Sequence, residues 1–231
     1  MHFVSAIEGE SATHDSSLSL QSPTVQSPAV ASLMETHFNA PALRLGIMAS
    51  GSGSNFEAIA QAIDQQKLNA HIQVVIYNNP GAGVSERAKR WGVPAILLNH
   101  REFESREALD QEIVTTLQHH QADWVIMAGW MRCVTEVLID AFPKRVLNIH
   151  PSLLPSFPGL HAVQQALDAG VMLAGCTVHH VVLAVDSGPI VMQAAVPVLP
   201  DDTEETLHNR IHIQEHAIYP MAIALAAAAE R

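Results

Sequence analysis

The sequence predicts an α/β fold in which helices cover a mostly parallel, twisted sheet, with a β-hairpin and a long helix added at the C-terminal end. From residue 43 onward, short apolar runs alternate with stretches of helical spacing, which is typical of βα repeats. The 231 residues suffice for one such domain with a full core, and they are too few for two ordinary domains plus linkers. We therefore expect a single domain over residues 43–231.

The predicted strands and helices follow one another regularly along this domain. Strands are expected at residues 43–48, 71–77, 95–98, 124–127 and 146–149, and helices at residues 55–66, 84–91, 105–120 and 134–142. Residues 175–199 indicate a β-hairpin, and a long helix begins near Thr203 in the cap-like sequence DDTEE. Because ligands gather beyond the carboxyl ends of parallel strands, the loops after residues 48, 127 and 149 are the predicted place for chemistry.

Residues 1–42 differ from the rest of the chain in composition. They are rich in Ser, Thr, Pro, Ala and Gln and show no sustained apolar period. A segment of this kind lacks the apolar surface that would offset the entropy of ordering it. We therefore predict a disordered N-terminal tail.

Charge and composition exclude several classes of partner. The formal net charge of −11 argues against a surface that attracts nucleic acid or anionic lipid over a broad area. No apolar run approaches the roughly 20 residues that span a bilayer, and the N-terminus lacks the order of a secretory signal. Cys133 and Cys176 each lie in an apolar stretch, which predicts buried thiols in a reducing compartment. We expect a soluble cytoplasmic protein, either a monomer or a homodimer.

A loop rich in glycine and serine follows the first predicted strand. Residues 49–55, ASGSGSN, lead from this strand into a helix, where small residues and the helix dipole favour an anion. The loop is not a Walker loop, and Phe56 occupies the place of the third glycine in G-x-G-x-x-G. A phosphomonoester or a single ribose phosphate therefore fits better than a dinucleotide. The alternative is a tight structural turn in which Ser54 is the helix N-cap.

The segment LNIHPSLLP at residues 147–155 carries the strongest chemical signal. Alternation along a strand places Asn148 and His150 on the same face. The amide of Asn148 can donate to a carbonyl oxygen that gains negative charge, and an imidazole can move protons near neutral pH. Pro151 disfavours a helical conformation at His150 and so helps to keep the strand end rigid. The alternative is a histidine whose hydrogen bonds are purely structural.

Several motifs together resemble a known family. HPSLLP, GSGSN, AGWMR, VDSGPI and QEHAIYP are similar, in order and spacing, to motifs of the glycinamide ribonucleotide formyltransferases of purine synthesis. The resemblance covers residue 43 to the C-terminus and implies that residues 43–231 form a formyltransferase catalytic domain. It also implies transfer of a formyl group from 10-formyltetrahydrofolate to the glycyl amine of 5-phosphoribosylglycinamide, without a metal.

The resemblance implies roles for individual residues. Asp186 matches a third catalytic residue beside Asn148 and His150. Glu215 matches a carboxylate that accepts hydrogen bonds from ribose hydroxyls, and Gly53, Ser54 and Asn55 match the residues that bind the substrate phosphate. The folate co-substrate is expected to contact Arg106, Met131, Arg132, Cys133, Val134, Asn148, Val182 and Asp186. Leu183-Ala184-Val185 departs from the acidic or polar residues common there, and Phe157 stands where Tyr is frequent.

Alternative functions and sites lead to different expectations. A formyltetrahydrofolate hydrolase would use the same three residues with water as acceptor, and a non-catalytic binder of phosphorylated metabolites would not need all three. A formyltransferase for initiator tRNA is expected to carry a further C-terminal domain and a basic surface. His208, His212 and His216 recur at helical spacing without the Glu of H-E-x-x-H, so zinc is not expected there. The pairs His119-His120 and His179-His180 are interpreted as surface and strand residues.

Overall fold

The computed structural model describes residues 37–230 and confirms the predicted α/β fold. Residues 1–36 of the predicted tail lie outside the described residues. Within residues 37–230 the chain forms a seven-stranded sheet in the order β3-β2-β1-β4-β5-β6-β7. The strands are β1 Leu43–Ala49, β2 Ala70–Tyr77, β3 Ala95–Leu97, β4 Trp124–Met127, β5 Val146–His150, β6 Leu173–His180 and β7 Ile190–Pro197. Strands β1 to β5 are parallel, and β6 and β7 form the predicted antiparallel hairpin.

Helices cover both faces of the sheet. They are α1 Ser54–Asp64, α2 Val84–Arg90, α3 Arg106–His119, α4 Glu136–Ala141, α5 Ala162–Asp168 and α6 Glu204–Ala229. One apolar cluster joins the sheet to α1 and α6, and a second joins its other face to α3 and α4. Among the described residues, no helix is both long and apolar enough to cross a membrane.

Two helix assignments from the sequence need correction. Helix α5 was not predicted, because seven residues contain too few repeats of an apolar pattern to reveal a period. Helix α4 begins two residues later than predicted, since Thr135 is extended and serves as the N-cap. In contrast, α6 begins as predicted, with the Thr203 and Thr206 side chains closing a capping box.

Residues 37–42 contact the domain although they belong to the predicted tail. His37 is buried, and its Nε2 accepts the backbone N–H of Asn69 at 2.9 Å. The Asn69 side chain in turn donates to the carbonyl of Ala40 at 2.8 Å. The packed part of the chain therefore begins before Leu43.

The order of the strands places two loops side by side. The chain runs outward from β1 through β2 to β3 and then returns to β4 on the other side of β1, so β1 and β4 form a topological switch point. The backbone N–H of Ser50 donates to the Gly129 carbonyl at 3.0 Å, and the N–H of Met131 donates to the Ser50 hydroxyl at 2.9 Å. These bonds hold the loops after β1 and β4 against each other.

Tyr219 anchors helix α6 to the centre of the sheet. Its side chain is fully buried, and its hydroxyl lies 3.0 Å from the Met127 carbonyl and 3.2 Å from the Leu147 carbonyl. One hydroxyl proton therefore lies between two acceptors, the carbonyl of the last residue of β4 and that of the second residue of β5. This contact sets the position of α6 beside β5, the strand that carries both Asn148 and His150.

We expect Tyr219→Phe to lower the free energy of unfolding by about 1–2 kcal/mol, because two buried carbonyls lose a donor while the apolar packing remains. Urea unfolding followed by circular dichroism measures the change. The matched control is Tyr77→Phe, at the other tyrosine of the chain, which is half-buried. This change is expected to alter the free energy of unfolding by less than about 0.5 kcal/mol. Equal losses in the two variants would contradict the anchoring role.

Candidate active site

Strands β5 and β6 bring three polar side chains together. Asn148 and His150 lie on the same face of β5, and the antiparallel register pairs Asn148 with His179 and His150 with Thr177. Asn148 Nδ2 lies 3.2 Å from His179 Nε2. His150 and His179 are buried, and Asn148 is half-buried.

Asp186 closes this cluster from the loop between β6 and β7. Its Oδ2 lies 3.3 Å from His150 Nδ1, and its Oδ1 lies 3.6 Å from His179 Nε2. The backbone N–H of Gly159 donates to Oδ2 at 2.8 Å. Asp186 has a φ of 51°, in the left-handed region, which Asp tolerates better than bulkier residues. This sharp turn of the loop places the carboxylate next to both histidines.

The environment of Asp186 favours its charged form. Burial raises the pKa of Asp186, but the contact with His179, the hydrogen bond from the Gly159 N–H and the charge of His150 together outweigh burial, so the net pKa lies below its ordinary value. The side chain is therefore a carboxylate at neutral pH, and it can stabilise positive charge on a neighbouring imidazole.

His150 lies between two hydrogen-bond acceptors. Its Nε2 is 2.9 Å from the Phe157 carbonyl, and its Nδ1 faces the Asp186 carboxylate. A neutral imidazole has one N–H and can satisfy one of these acceptors, whereas a ring protonated at both nitrogens satisfies both. Each ring nitrogen of His150 therefore faces an oxygen acceptor.

His179 was missed by the sequence analysis, which assigned it to the surface or a strand. It is a strand residue, but it is 3% exposed and contacts both Asn148 and Asp186. Its Nδ1 lies 2.9 Å from the His180 carbonyl and must donate to it, so in the neutral ring Nε2 accepts from the Asn148 amide. The antiparallel pairing of β5 with β6 places His179 beside Asn148. The residue pattern of one strand does not reveal which other strand it pairs with.

The loop after β1 needs a glycine at position 53. Gly53 is the N-cap of α1 with a φ of 79°, and a Cβ there would lie 2.6 Å from the Val84 side chain. The alternative interpretation of Ser54 as N-cap is therefore wrong, because Ser54 is the first helical residue. No side chain caps this helix start, so its backbone N–H groups point toward the loop.

The start of α1 contacts α6 through side chains. Ser54 Oγ lies 3.0 Å from His212 Nε2, and Asn55 Nδ2 donates to Glu215 Oε2 at 2.9 Å. Glu215 is 4% exposed, and burial raises its pKa although the hydrogen bond from Asn55 and the charges of His208 and His150 oppose the rise. The structure thus joins the predicted phosphate loop to the predicted ribose carboxylate.

A groove of about 330 Å³ lies beside the loop that carries Asp186. Its lining includes Arg106, Cys133 and Val134, which were predicted for the folate site, and also Leu183 and Val185. The other predicted folate residues outside the catalytic cluster, Met131, Arg132 and Val182, do not line this groove.

The two cysteines have different environments. Cys176 is buried on β6 as predicted, and burial followed by the charge of Glu215 raises its pKa. The prediction for Cys133 was wrong because its side chain is exposed. It lies in the loop between β4 and α4, where the neighbouring Val134 takes the inward position instead.

Asp110 supports this loop from α3. It is buried, and its Oδ2 accepts the backbone N–H of Thr135 at 2.6 Å. Burial raises the pKa of Asp110, while the hydrogen bonds from Thr135 oppose the rise. This contact fixes Val134 and the start of α4 beside the groove, and no sequence motif indicated it.

Comparison with known proteins agrees with this geometry. The model of the family described as formyl transferase matches residues 43–223. The phosphoribosylglycinamide formyltransferase of Bacillus subtilis (strain 168) is 40% identical over 180 residues, which are 78% of this chain and 92% of that protein. The crystal structure of glycinamide ribonucleotide transformylase 1 from Symbiobacterium toebii is 48% identical with a TM-score of 0.80, covering 82% of this chain and 89% of that one.

A longer relative contains a similar segment. The trifunctional purine biosynthetic protein adenosine-3 of Drosophila pseudoobscura pseudoobscura is 45% identical over 189 residues, which are 81% of this chain. The chain spans 14% of the length of that protein.

The sheet order and the cluster on β5 and β6 define a protein of the formyl-transfer class. The chain belongs to the formyl transferase family, in the branch of the phosphoribosylglycinamide formyltransferases. The resemblance found in the sequence motifs is therefore confirmed.

Proposed function

We propose that this protein transfers a formyl group from 10-formyltetrahydrofolate to the glycyl amine of 5-phosphoribosylglycinamide, a step of purine biosynthesis. One observation carries the proposal beyond family membership. The Asp186 carboxylate, 36 residues after His150 in the chain, lies 3.3 Å from its imidazole, with the Asn148 amide on the same strand face.

The start of α1 and Glu215 suit the ribonucleotide. The uncapped backbone N–H groups of Ser54 and Asn55, together with the helix dipole, bind the phosphate. Gly53 lets the backbone approach the anion closely. Glu215 accepts hydrogen bonds from the ribose hydroxyls, since one ionised carboxylate can accept from two adjacent donors. The glycyl amine then extends from the ribose toward His150 on β5.

The groove beside Arg106 suits the folate. Val134, Leu183 and Val185 supply apolar contacts, and the exposed guanidinium of Arg106 pairs with the anionic tail. Trp130 Nε1 and Arg132 Nε are buried with no hydrogen-bond partner among the described residues, so this loop has donors that a ligand can satisfy. Met131, Cys133, Val182 and the Leu183–Val185 segment complete the proposed folate contacts.

The catalytic groups stabilise charge on the formyl oxygen and move one proton. The bound folate supplies the formyl carbon that the neutral amine attacks. The Asn148 amide donates to the formyl oxygen, and His150 donates from Nε2 once that oxygen replaces the Phe157 carbonyl as its partner. Asp186 orients the His150 ring and stabilises its positive charge through Nδ1. The attacking nitrogen loses a proton and the departing folate nitrogen gains one, through His150, Asp186 or an ordered water.

His179 is a positioning residue in this arrangement. We expect His179→Ala to lower kcat about tenfold, since one buried hydrogen bond to the network is worth about 1–1.5 kcal/mol. Loss of the His179 contact also raises the pKa of Asp186, so the acid limb of the kcat/KM profile moves to higher pH. His179→Gln retains an oxygen that can accept from the Asn148 amide and an NH₂ group that can face Asp186, so it is expected to recover part of both effects. An unchanged pH profile in His179→Ala would contradict this role.

A hydrolase is the competing enzymatic function, because water in place of the amine would use the same side chains. The test incubates the full-length protein with 10-formyltetrahydrofolate, with and without 5-phosphoribosylglycinamide, and follows tetrahydrofolate formation spectroscopically. We expect turnover only when the amine is present. Turnover without the amine would identify a hydrolase. No turnover in either case would favour the remaining alternative, a non-catalytic binder of phosphorylated metabolites.

We also propose that the reaction takes place in the cytoplasm and uses no metal. The first proposal follows from the small, soluble metabolites involved and from the bacterial relatives. The second follows from the catalytic cluster, since Asn148 and His150 already donate to the oxygen that gains charge. Addition of a chelator is expected to leave kcat unchanged.

A further inference from the structure

Three consecutive carbonyl groups in the loop after β1 accept hydrogen bonds from one segment of the chain, residues 79–87. This segment leads from the end of β2 into α2. The bonds run from Asn79 Nδ2 to the Ser50 carbonyl at 2.9 Å, from the Val84 N–H to the Gly51 carbonyl at 3.2 Å and from Arg87 Nε to the Ser52 carbonyl at 2.8 Å. The three carbonyls therefore face the same segment.

The other side of these peptide groups carries the N–H donors of the following residues. In a planar trans peptide, the N–H points away from the carbonyl of the preceding residue. The N–H groups of Gly51, Ser52 and Gly53 therefore point away from the segment that holds the carbonyls. None of these three groups donates to an acceptor within residues 37–230. Successive backbone N–H groups of this kind bind anions, and the Gly53 N–H adjoins the uncapped donors at the start of α1.

Arg87 is fixed in place by a second contact. Its Nη1 donates to Glu57 Oε2 on α1 at 2.8 Å, and the same oxygen accepts from Arg90 Nη2 at 3.1 Å. Glu57 Oε1 accepts from Trp91 Nε1 at 2.9 Å. The Arg87 side chain is 32% exposed, whereas that of Arg90 is 59% exposed. One planar guanidinium thus joins α1, α2 and the Ser52 carbonyl, and it fixes the direction of that carbonyl.

We infer that Arg87 and Asn79 are positioning residues for the phosphate of the ribonucleotide. Each holds a carbonyl on one side of the loop, so that the N–H on the other side, that of Gly53 or Gly51, donates to the phosphate. Arg87 is paired with Glu57 and acts through the loop rather than by touching the phosphate. This inference rests on the proposed function and extends the phosphate site from the start of α1 into the loop after β1. No sequence motif indicated either residue.

Nuclear magnetic resonance of the ¹⁵N-labelled full-length protein tests the direction of these donors. Ribose 5-phosphate is the probe, and ribose is the control ligand that lacks the phosphate. Because an amide proton that donates to an anion moves downfield, we expect the Gly51 and Gly53 signals to move downfield with ribose 5-phosphate and not with ribose. A Gly53 signal that stays in place at saturation overturns the role of Arg87. A Gly51 signal that stays in place overturns the role of Asn79.

Two variants assign each positioning residue to its own peptide group. Arg87→Met is expected to abolish the ligand-dependent shift of Gly53 and to weaken ribose 5-phosphate binding about tenfold, because a hydrogen bond to a charged group is lost. Asn79→Leu is expected to abolish the shift of Gly51 and to weaken binding about fivefold. Loss of both shifts in either variant would indicate collapse of the whole loop and would overturn the assignment of one residue to each peptide.

Arg90→Met is the matched control for Arg87→Met. It removes the same charge, but the side-chain hydrogen bond of Arg90 within residues 37–230 goes to Glu57 and not to the loop. We therefore expect the affinity for ribose 5-phosphate to change less than about twofold. Arg87→Lys retains the charge and is expected to recover only part of the affinity, since an ammonium lacks the planar fork. Equal weakening in Arg87→Met and Arg90→Met, or full recovery in Arg87→Lys, would overturn the inference.

Steady-state kinetics separates positioning from a general effect on the fold. In Arg87→Met the KM for the ribonucleotide is expected to rise about tenfold, while kcat and the KM for the folate stay within about twofold, because the phosphate contact is the same in the ground and transition states. A fall in kcat without a rise in this KM would contradict the role. If amine-dependent formyl transfer occurs but the amide signals do not move, this inference alone fails. If the signals move but no formyl transfer occurs, the transferase proposal alone fails.

Discussion

Replacing Asn148 with alanine is expected to lower kcat by about 10²–10³-fold, because the formyl oxygen loses an amide donor as it gains negative charge. The KM for the ribonucleotide is expected to change little, since Asn148 lies on β5 rather than at the phosphate loop. Steady-state kinetics with both substrates measures the two effects separately. Wild-type turnover in this variant would remove Asn148 from the mechanism.

The fold of the Asn148→Ala variant provides the necessary control. The Asn148 side chain contacts His179 Nε2 at 3.2 Å and is half-buried, so its loss leaves the apolar core intact. We expect the urea midpoint to stay close to that of the wild type. Asn209→Ala, at an exposed position on α6, is a matched substitution that is expected to leave kcat unchanged.

Replacing Asp186 with asparagine is expected to lower kcat by about 10³-fold, within the range for loss of acid–base catalysis. Asparagine preserves the shape and can still accept from Gly159, but it carries no charge to stabilise a positive His150 ring. The variant therefore tests charge rather than packing. Activity within tenfold of the wild type would contradict the proposed role of the carboxylate.

The same variant is expected to change how stability depends on pH. The folded-state pKa of Asp186 lies below its unfolded value, so its contribution to stability is present above the unfolded pKa of about 3.9 and is lost as pH falls through the folded pKa. The Asp186→Asn variant lacks this contribution, and its deficit relative to the wild type should shrink below about pH 4. Asp140→Asn, at an exposed carboxylate, is the control and is expected to show no such difference.

The sequence predicted most of the sheet, and it indicated the polar residues that we propose as catalytic, for identifiable reasons. Strands β1, β4 and β5 are apolar runs bounded by polar residues, and α6 begins at a capping box, so local patterns were sufficient there. Helix α5 has only seven residues and was missed. The exposure of Cys133 depends on how the loop after β4 turns, and no local pattern describes that turn.

His179 and His212 show what kind of information local patterns lack. His179 reaches Asp186 because β6 pairs antiparallel with β5 in one particular register. His212 reaches Ser54 because α6 packs against α1, 158 residues away in the chain. In both cases the contact depends on residues that are distant in the sequence, and the residue types alone gave no reason to prefer these two over the other histidines.

The amino-acid sequence by itself determined the α/β class, the loop at the start of α1, the polar pair on β5 and the family. These features depend on periodicity, on small residues at turns and on motif order, all of which are local. Only the tertiary structure decided that Asp186 meets two histidines, that Asn55 bonds to Glu215 and that Arg106 shares a groove with Leu183. Such contacts depend on strand register and helix packing, which are set by the burial of the whole core and not by any one segment.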